Sequence, residues 1–481
     1  MSTYDEFIQQ KDVKVKPSGF AVHPDDLHPA LFPFQRAVVH RAIMQGKFCN
    51  GADTGLGKSL MSLAWADMVS RKIDRPVLIL APLAVSHQFV RESEKFGIPG
   101  VRFVSDQSEI LHSRYGIYTT NYEKLHRFNP SIFGGVVLDE GSILKNFDGK
   151  TSRFILESFA DTPFKLSASA TFAPNDIDEL GTQSQFVGAM PETEMKAQFF
   201  VHDQDPVKGG TYWRLKKHAP ERFWEWLSSW CCLVRNPSDV GDYDDSGYNL
   251  PGLNEVNHPV DTEIATPDGF LPGVWIPSGS SSDKRHINKS SIESRCYAAA
   301  DLANQSDQQW VVWCNSNAES EMLTKFIPDA VEIAGKHKDD YKVDSITKFQ
   351  RGDIRVIVTK DKIFGFGINL QNCHNTVVFP NDSYERYYQL VRRFYRFGQE
   401  KTVNVHRVYH RLEGYSTLPN LQRKGQQADN MFNAMLPFQQ ARFMQSSHEQ
   451  TSQLQMAYHP TKKIMLPEWL IESANESDIA A

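Results

Sequence analysis

The 481-residue chain contains no apolar run near the roughly 20 residues that a membrane-spanning helix needs. Its first residues, MSTYDEFIQQKDVKVK, carry acidic side chains and no apolar stretch, which argues against a secretory signal or a transit peptide. There are six cysteines (Cys49, Cys231, Cys232, Cys296, Cys314 and Cys373), with no CxxC pair and no histidines at zinc-finger spacing. A disulfide scaffold and a structural zinc site are thereby excluded, and the expectation is reduced, mostly buried thiols in a cytoplasmic protein. Excess positive charge is also missing: 52 basic residues against 58 acidic ones leave a net charge of -6. A protein that coats nucleic acid by overall charge is excluded, so any such contact has to use a local groove. No internal repeat or long low-complexity tract is present.

The length is too great for one core and suits two or three domains. From about residue 31 to 171, short β-rich apolar runs alternate with polar or glycine turns and helical patterns. PVLILAP (76–82), GIYTTN (116–121), GVVLDE (135–140) and FKLSASAT (164–171) read as strands buried on both faces, as in a parallel sheet wrapped by helices. The same grammar returns in QWVVWCNSN (309–317), DIRVIVTK (353–360) and NTVVFP (375–380). The fold class expected is α/β, with two parallel-sheet domains in tandem.

Between them, TYWRLKKHAPERFWEWLSSW (211–230) is aromatic and basic, which could suit base stacking. Its apolar residues Phe223, Trp226, Leu227 and Trp230 nevertheless recur at i, i+3, i+4 and i+7, the mark of one helix face, and favour core packing. An acidic turn-rich stretch, DVGDYDDSG (239–247), follows. PSGSSSDKRH (277–286) has little to bury and reads as a linker or exposed loop. Near the C-terminus, QQADNMFNAML (426–436) reads as a helix stopped by Pro437, and LPEWL (466–470) as a short docking helix.

Two segments carry the chemistry. Within GADTGLGKS (51–59), ADTGLGKS (52–59) departs from the phosphate-loop pattern only at its first glycine, where Ala52 stands. Gly55 and Gly57 let backbone N–H groups turn toward phosphate, Lys58 reaches the β and γ phosphates, and Ser59 ligates Mg²⁺. The nucleotide-binding stretch comprises Asp53, Thr54, Gly55, Leu56, Gly57, Lys58, Ser59 and Leu60, at the start of a helix whose dipole favours anions. About 80 residues on, VVLDEGS (136–142) ends an apolar strand in adjacent carboxylates. Asp139 is placed to hold Mg²⁺ and Glu140 to orient or deprotonate the attacking water.

About 330 residues beyond the loop, QLVRRFYRFGQ (389–399) offers Arg392, Arg393 and Arg396. On a helix, Gln389, Arg393 and Arg396 would share a face, with Arg392 pointing close by. Arginine forks stay charged, span two phosphate oxygens and neutralise charge developing on a transferred phosphoryl group. Two half-sites on two domains imply a motor in which ATP draws the domains together. The phosphate loop alone would also suit a small-molecule kinase, which leaves residues 389–399 unexplained.

The order of these motifs resembles that of superfamily 2 helicases, in particular SNF2-like DNA-dependent ATPases of the compact bacterial and bacteriophage type. LFPFQRAVV (31–39) resembles the Q motif, so Gln35 inherits the role of reading adenine. PLAVSHQFVRE (82–92) and TTNYEKL (119–125) resemble motifs Ia and Ib, which face the nucleic-acid backbone. SATFAPNDIDELG (169–181) resembles motif III, which couples ATP to the track through Ser169 and Thr171. GFGINLQNC (365–373) resembles motif V, adding Gly367 near the nucleotide. The resemblance spans residues 30–407. It implies two RecA-like domains around an ATP cleft, with helical insertions and a helical C-terminal tail.

The domain organisation expected is 1–258 for the N-terminal RecA-like domain, with an insertion at about 185–258, and 259–290 for a linker. The C-terminal RecA-like domain would occupy 291–415 and the tail 416–481. The resemblance further implies ATP and Mg²⁺ as cofactors, and a monomer in the cytoplasm (the host's, if phage-encoded), with a protein partner left unidentified. Nucleic-acid contacts would come from Pro82, Ser86, Thr119, Thr120, Asn121, Lys360 and Asn369, with Lys362 nearby. The partner expected is duplex DNA, gripped without sequence reading and moved along without strand separation. A strand-separating DNA or RNA helicase and a nonhydrolysing clamp are the alternatives.

Three positions depart from the pattern. Ser142 replaces the usual histidine of motif II, Phe172 the usual proline after Thr171, and Arg392 the usual aspartate, glycine or histidine of motif VI.

Overall fold

The computed structural model describes residues 15–457 except 111–113, 147–148, 174, 205–210, 268–276, 278 and 362–368. Gly367, Lys362 and the LPEWL segment lie outside the described residues.

The first half builds β1 (Lys47–Ala52), β2 (Val77–Ala81), β3 (Val101–Phe103), β4 (Ile117–Asn121), β5 (Gly135–Asp139) and β6 (Phe164–Ala168). An antiparallel hairpin of β7 (Phe200–Gln204) and β8 (Thr211–Leu215) follows, and then β9 (Cys231–Val234). β1 to β6 and β9 form one parallel sheet in the order β3-β4-β2-β5-β6-β1-β9. Its central strands are buried along their whole length because both faces are covered. The two-residue period of a strand sends Val77 and Ile79 to a core with Trp65 and Val69, and Leu78 and Leu80 to a core with Phe133 and Trp230.

The second half builds β10 (Leu253–Val260), β11 (Trp310–Trp313), β12 (Ala330–Ile333), β13 (Val356–Thr359), β14 (Asn375–Val378) and β15 (Val403–His410). They form a second parallel sheet, ordered β10-β15-β14-β11-β13-β12. The two-domain parallel α/β architecture is therefore as expected.

The aromatic segment is the hairpin strand β8 followed by the helix Pro220–Trp230, whose Phe223, Trp226, Leu227 and Trp230 are buried in the first core, the packing that their helix-face spacing favours. Several other local expectations need correction. β9, placed by the sequence in an insertion, extends the first sheet by pairing with β1. β10 begins before the expected boundary at 258 and belongs to the second sheet through eight paired positions with β15. The serine-rich linker is in part the helix Ser281–Ser290, started when the Ser280 hydroxyl accepts the Asp283 N–H at 3.2 Å; serine composition marked a cap there.

Pro437 does not stop the C-terminal helix, which runs from Arg411 to Ala457. Met431, Phe432, Met435 and Phe443 anchor it in the first domain's cores. Gln439 accepts the Leu233 N–H at 3.0 Å and donates to the Leu233 carbonyl at 2.8 Å, covering the edge of β9 as another strand would. This tertiary grip outweighs the single backbone bond that proline removes. All six cysteines are free and buried, and no helix among the described residues is long and apolar enough to cross a membrane.

Phe223→Ala should lower stability by about 3–5 kcal/mol in urea denaturation, as expected for removing a fully buried aromatic ring. A pH effect is also expected at the β10–β15 pair, where His258 Nε2 lies 2.9 Å from His406 Nδ1. Burial, then the neighbouring His258, pushes His406 down to about 4. A depressed histidine favours the neutral folded form. Its stability contribution is therefore complete above about 6.5 and lost as pH falls toward 4. Thermal melts of His406→Gln across this window should show a shallower acid-side decline than the parent.

Candidate nucleotide site

β1 ends at Ala52 and the chain turns through Asp53–Gly57 into the helix Lys58–Ile73. Gly55 and Gly57 take φ of 94° and 79°, the left-handed region that glycine enters without strain. Both also admit close neighbours. A Cβ on Gly55 would sit 3.2 Å from the Phe397 backbone nitrogen of the second domain, and one on Gly57 would run into the Gln35 amide. Lys58 Nζ donates to the Ala52 carbonyl at 2.8 Å across the loop. Burial lowers its pKa, against the opposing fields of Glu140, Asp53 and Asp139. Thr54 and Ser59 are partly exposed at the loop, and Leu56 and Leu60 are buried beneath it.

Asp139 ends β5, two strands from β1 in the same sheet, so the parallel topology brings its tip beside the loop. Burial, reinforced by Glu140 and opposed by Lys58, pushes Asp139 up to about 8. Glu140 adopts φ 55°, an uncommon conformation for a side-chain-bearing residue, and its buried Oε2 has no hydrogen-bond partner. Burial raises its pKa while Lys58 and Arg393 oppose the shift.

The arginine segment is not one continuous helix. The helix Tyr384–Val391 ends and residues 392–398 turn back, held by Gln399, whose Nε2 donates to the carbonyls of Gln371, Cys373 and Phe394. Turns bring the arginines to the loop in place of the expected helix face. Burial lowers the pKa of Arg393 to about 10 against the field of Glu140, and lowers that of Arg396 against Glu92 and Asp53. The Nε atoms of both are buried without partners. Arg392 instead pairs with Asp53 at 2.6 Å. Gln389 is half-buried on the last turn of the preceding helix.

Other expected residues are placed less simply. Gln35 uses both ends of its amide internally, accepting from Phe32 N at 2.9 Å and donating to Leu56 O at 2.8 Å, so it fastens the loop. Beside it, a cavity of about 270 Å³ is lined by Asp53, Thr54, Leu56, Tyr248, Arg392, Tyr395 and Phe397. Ser86, Thr119 and Thr120 are fully buried. The Ser86 hydroxyl donates back to the carbonyls of Ala81 and Pro82, so the expectation of direct backbone grips by these three hydroxyls does not fit their placement. Pro82 and Asn121 stand at the carboxyl ends of β2 and β4, where Asn121 donates to Glu123 at 2.5 Å. Lys360 is hydrogen-bonded to Asn317, and Asn369 is exposed, its carbonyl accepting from Gln350. Ser169 and Thr171 form a tight turn after β6, with the Thr171 hydroxyl buried and unpartnered.

Three contributors were not foreseen. Gln183 is buried between the motif II and III segments, donating to Gly141 O at 2.6 Å and accepting from Ser167 Oγ at 2.9 Å. It supplies a connection where Ser142 replaces a longer side chain. Glu385 pairs across the domains with Lys145. The Tyr388 hydroxyl donates to Asp53 at 2.6 Å. Only Tyr388 had a usable sequence cue, one helical turn before Arg392.

The site suits a triphosphate and a divalent cation. Two glycines open a backbone cradle, the buried Nε atoms of Arg393 and Arg396 are unpartnered, and Asp139 offers a carboxylate within the field of Lys58. Replacing Gln183 by Leu would strand buried partners on both sides, and should cost about 1–3 kcal/mol per stranded group in urea denaturation.

Residues 294–398 match the family model described as the helicase conserved C-terminal domain. No curated protein matches the chain. Among solved structures, the Sulfolobus solfataricus SWI2/SNF2 ATPase core in complex with double-stranded DNA is 19% identical, with 89% of this chain and 98% of that one covered at a TM-score of 0.42. The same organism's SWI2/SNF2 ATPase core domain is also 19% identical, with 84% and 91% covered at a TM-score of 0.41. The segment similar to a helicase C-terminal domain thus brings its arginines to a phosphate loop on a second parallel sheet.

Proposed function

We propose that the chain is an SNF2-like, ATP-dependent translocase that moves along duplex DNA without reading its sequence. The observation that carries this reading is the convergence of Arg393 and Arg396 on the phosphate loop and Glu140, with both buried Nε atoms unpartnered. ATP with Mg²⁺ supplies the phosphoanhydride whose cleavage drives the cycle. The N–H groups of residues 55–59 cradle its phosphates, and Lys58 exchanges the Ala52 carbonyl for phosphate oxygen. Ser59 and Asp139 would hold the cation, which would screen the phosphate charge, and Glu140 would take the proton of the attacking water. Arg393 and Arg396 neutralise charge at the phosphoryl group, with Gln389 beside them. Pairing the domains in this way converts a local chemical step into relative motion of two sheets.

Nucleic acid would lie across the carboxyl ends of the strands, near Pro82, Asn121, Lys360 and Asn369. Contacts to phosphate and backbone position without specifying sequence, so affinity should fall steeply with salt. One chain supplies both half-sites, so the proposal needs only a monomer, acting in the cytoplasm. The rival is a strand-separating helicase. Triplex displacement without fork unwinding supports the translocase, and robust unwinding without a need for duplex favours the rival.

Arg393→Ala should reduce turnover by about 10³-fold or more while sparing ATP affinity. Steady-state ATPase assays with duplex DNA, beside binding of a fluorescent ATP analogue, check both parts. Normal hydrolysis by this variant would sink the two-domain site.

A further inference from the structure

The phosphate loop contains an acid where a phosphate must approach. Asp53 lies one residue beyond β1, is 7% exposed in its side chain, and contributes to the field at both Lys58 and Arg396. An uncompensated carboxylate here would repel a triphosphate and incur a large desolvation cost. It is compensated from the other domain. Arg392 reaches Asp53 Oδ2 at 2.6 Å, while the Tyr388 hydroxyl and the Thr54 N–H both donate to Oδ1 at 2.6 Å.

Arg392 is itself held. Its guanidinium lies over the rings of Tyr388 and Tyr395, 5.1 and 5.3 Å from their centroids, and donates to the Tyr395 carbonyl at 3.3 Å. Burial opposes its charge, but Tyr388 and Asp53 more than offset this and raise its pKa. The arginine that departs from the motif VI pattern is thus the partner of the loop's own acid.

We propose that Asp53, Arg392 and Tyr388 form a clasp that seats Arg393 and Arg396 at the phosphate loop before nucleotide binds. Arg392 and Tyr388 are positioning residues: they touch the loop's carboxylate and act through their neighbours. The backbone transmits the effect. Arg393 follows Arg392 directly and its carbonyl accepts Leu370 N at 3.0 Å, while Gln399 holds the turn that carries Arg396. Anchoring residue 392 to the loop therefore limits where 393 and 396 can lie. The inference rests on the ATP-site reading for its catalytic consequence, whereas the clasp itself exists without nucleotide.

The test combines a distance and a double-mutant cycle. Spin labels at Glu94→Cys and Tyr297→Cys, exposed positions on the two domains, report domain separation, since all six native cysteines are buried. Without nucleotide, the parent should give one narrow distance distribution, and Asp53→Asn, Arg392→Gln and their combination should broaden it. Tyr388→Phe removes one oxygen and guards against misfolding; it should broaden the distribution less. Each single change at 53 or 392 should lower kcat about tenfold, with a smaller change in KM, and the double variant should lose no more than either single one. An unchanged distance distribution in Arg392→Gln, or kcat losses that multiply in the double variant, would overturn the clasp. Absence of ATPase activity in the parent would overturn the nucleotide reading, while the distance arm would still decide the clasp.

Discussion

Burying charge at a seam between two sheets is the constraint on which this structure turns. Asp139 is buried and Lys58, Glu140, Arg393 and Arg396 are half-buried, and burial is the largest influence on each of their pKa values. No one of them could be tolerated there alone, because an unpaired buried ion loses several kcal/mol of solvation. They are tolerated together, since cations from one domain offset anions from the other. A seam of this kind closes only when both domains contribute, which makes its closure responsive to any further charge placed inside it.

The C-terminal helix adds a second constraint. It leaves the second domain through Arg411 with Asp261 and Glu413 with Asn288, then reaches the first through Asp429 with Arg235 and Arg442 with Ser228. Opening the seam must therefore work against a helix fixed at both ends. Its anchors on the first domain are mainly apolar and deep, whereas those on the second combine the exposed Arg411–Asp261 pair with the buried Glu413 carboxylate.

Much of the site was legible because its chemistry is local. A strand, a glycine turn and a helix are encoded within about a dozen residues, and the Asp139–Glu140 pair stands behind its own buried strand. The arginine run was visible, but its geometry was not: Gln399 holds the turn by donating to the Phe394 carbonyl within it and to two carbonyls, of Gln371 and Cys373, on a separate segment. Gln35 shows a different limit. Its resemblance to a Q-motif glutamine was evident, yet the carbonyl it binds lies 21 residues away, so that bond could not be read from the sequence. Ser86, Thr119 and Thr120 are polar in sequence but sit inside the sheet domain, where a small hydroxyl is compatible with close packing.

The sequence by itself determined the two parallel sheets, the phosphate loop, the carboxylate pair and the presence of arginines on the second half, because periodicity and turn chemistry act over a few residues. Tertiary structure alone decided the partners. It drew β9 and β10 into the two sheets, carried the final helix through Pro437, and joined Asp53 to Arg392 across 339 positions of chain. Each of these depends on surfaces brought together only after both domains have folded, where burial makes a single hydrogen bond or ion pair count for far more than it does in water.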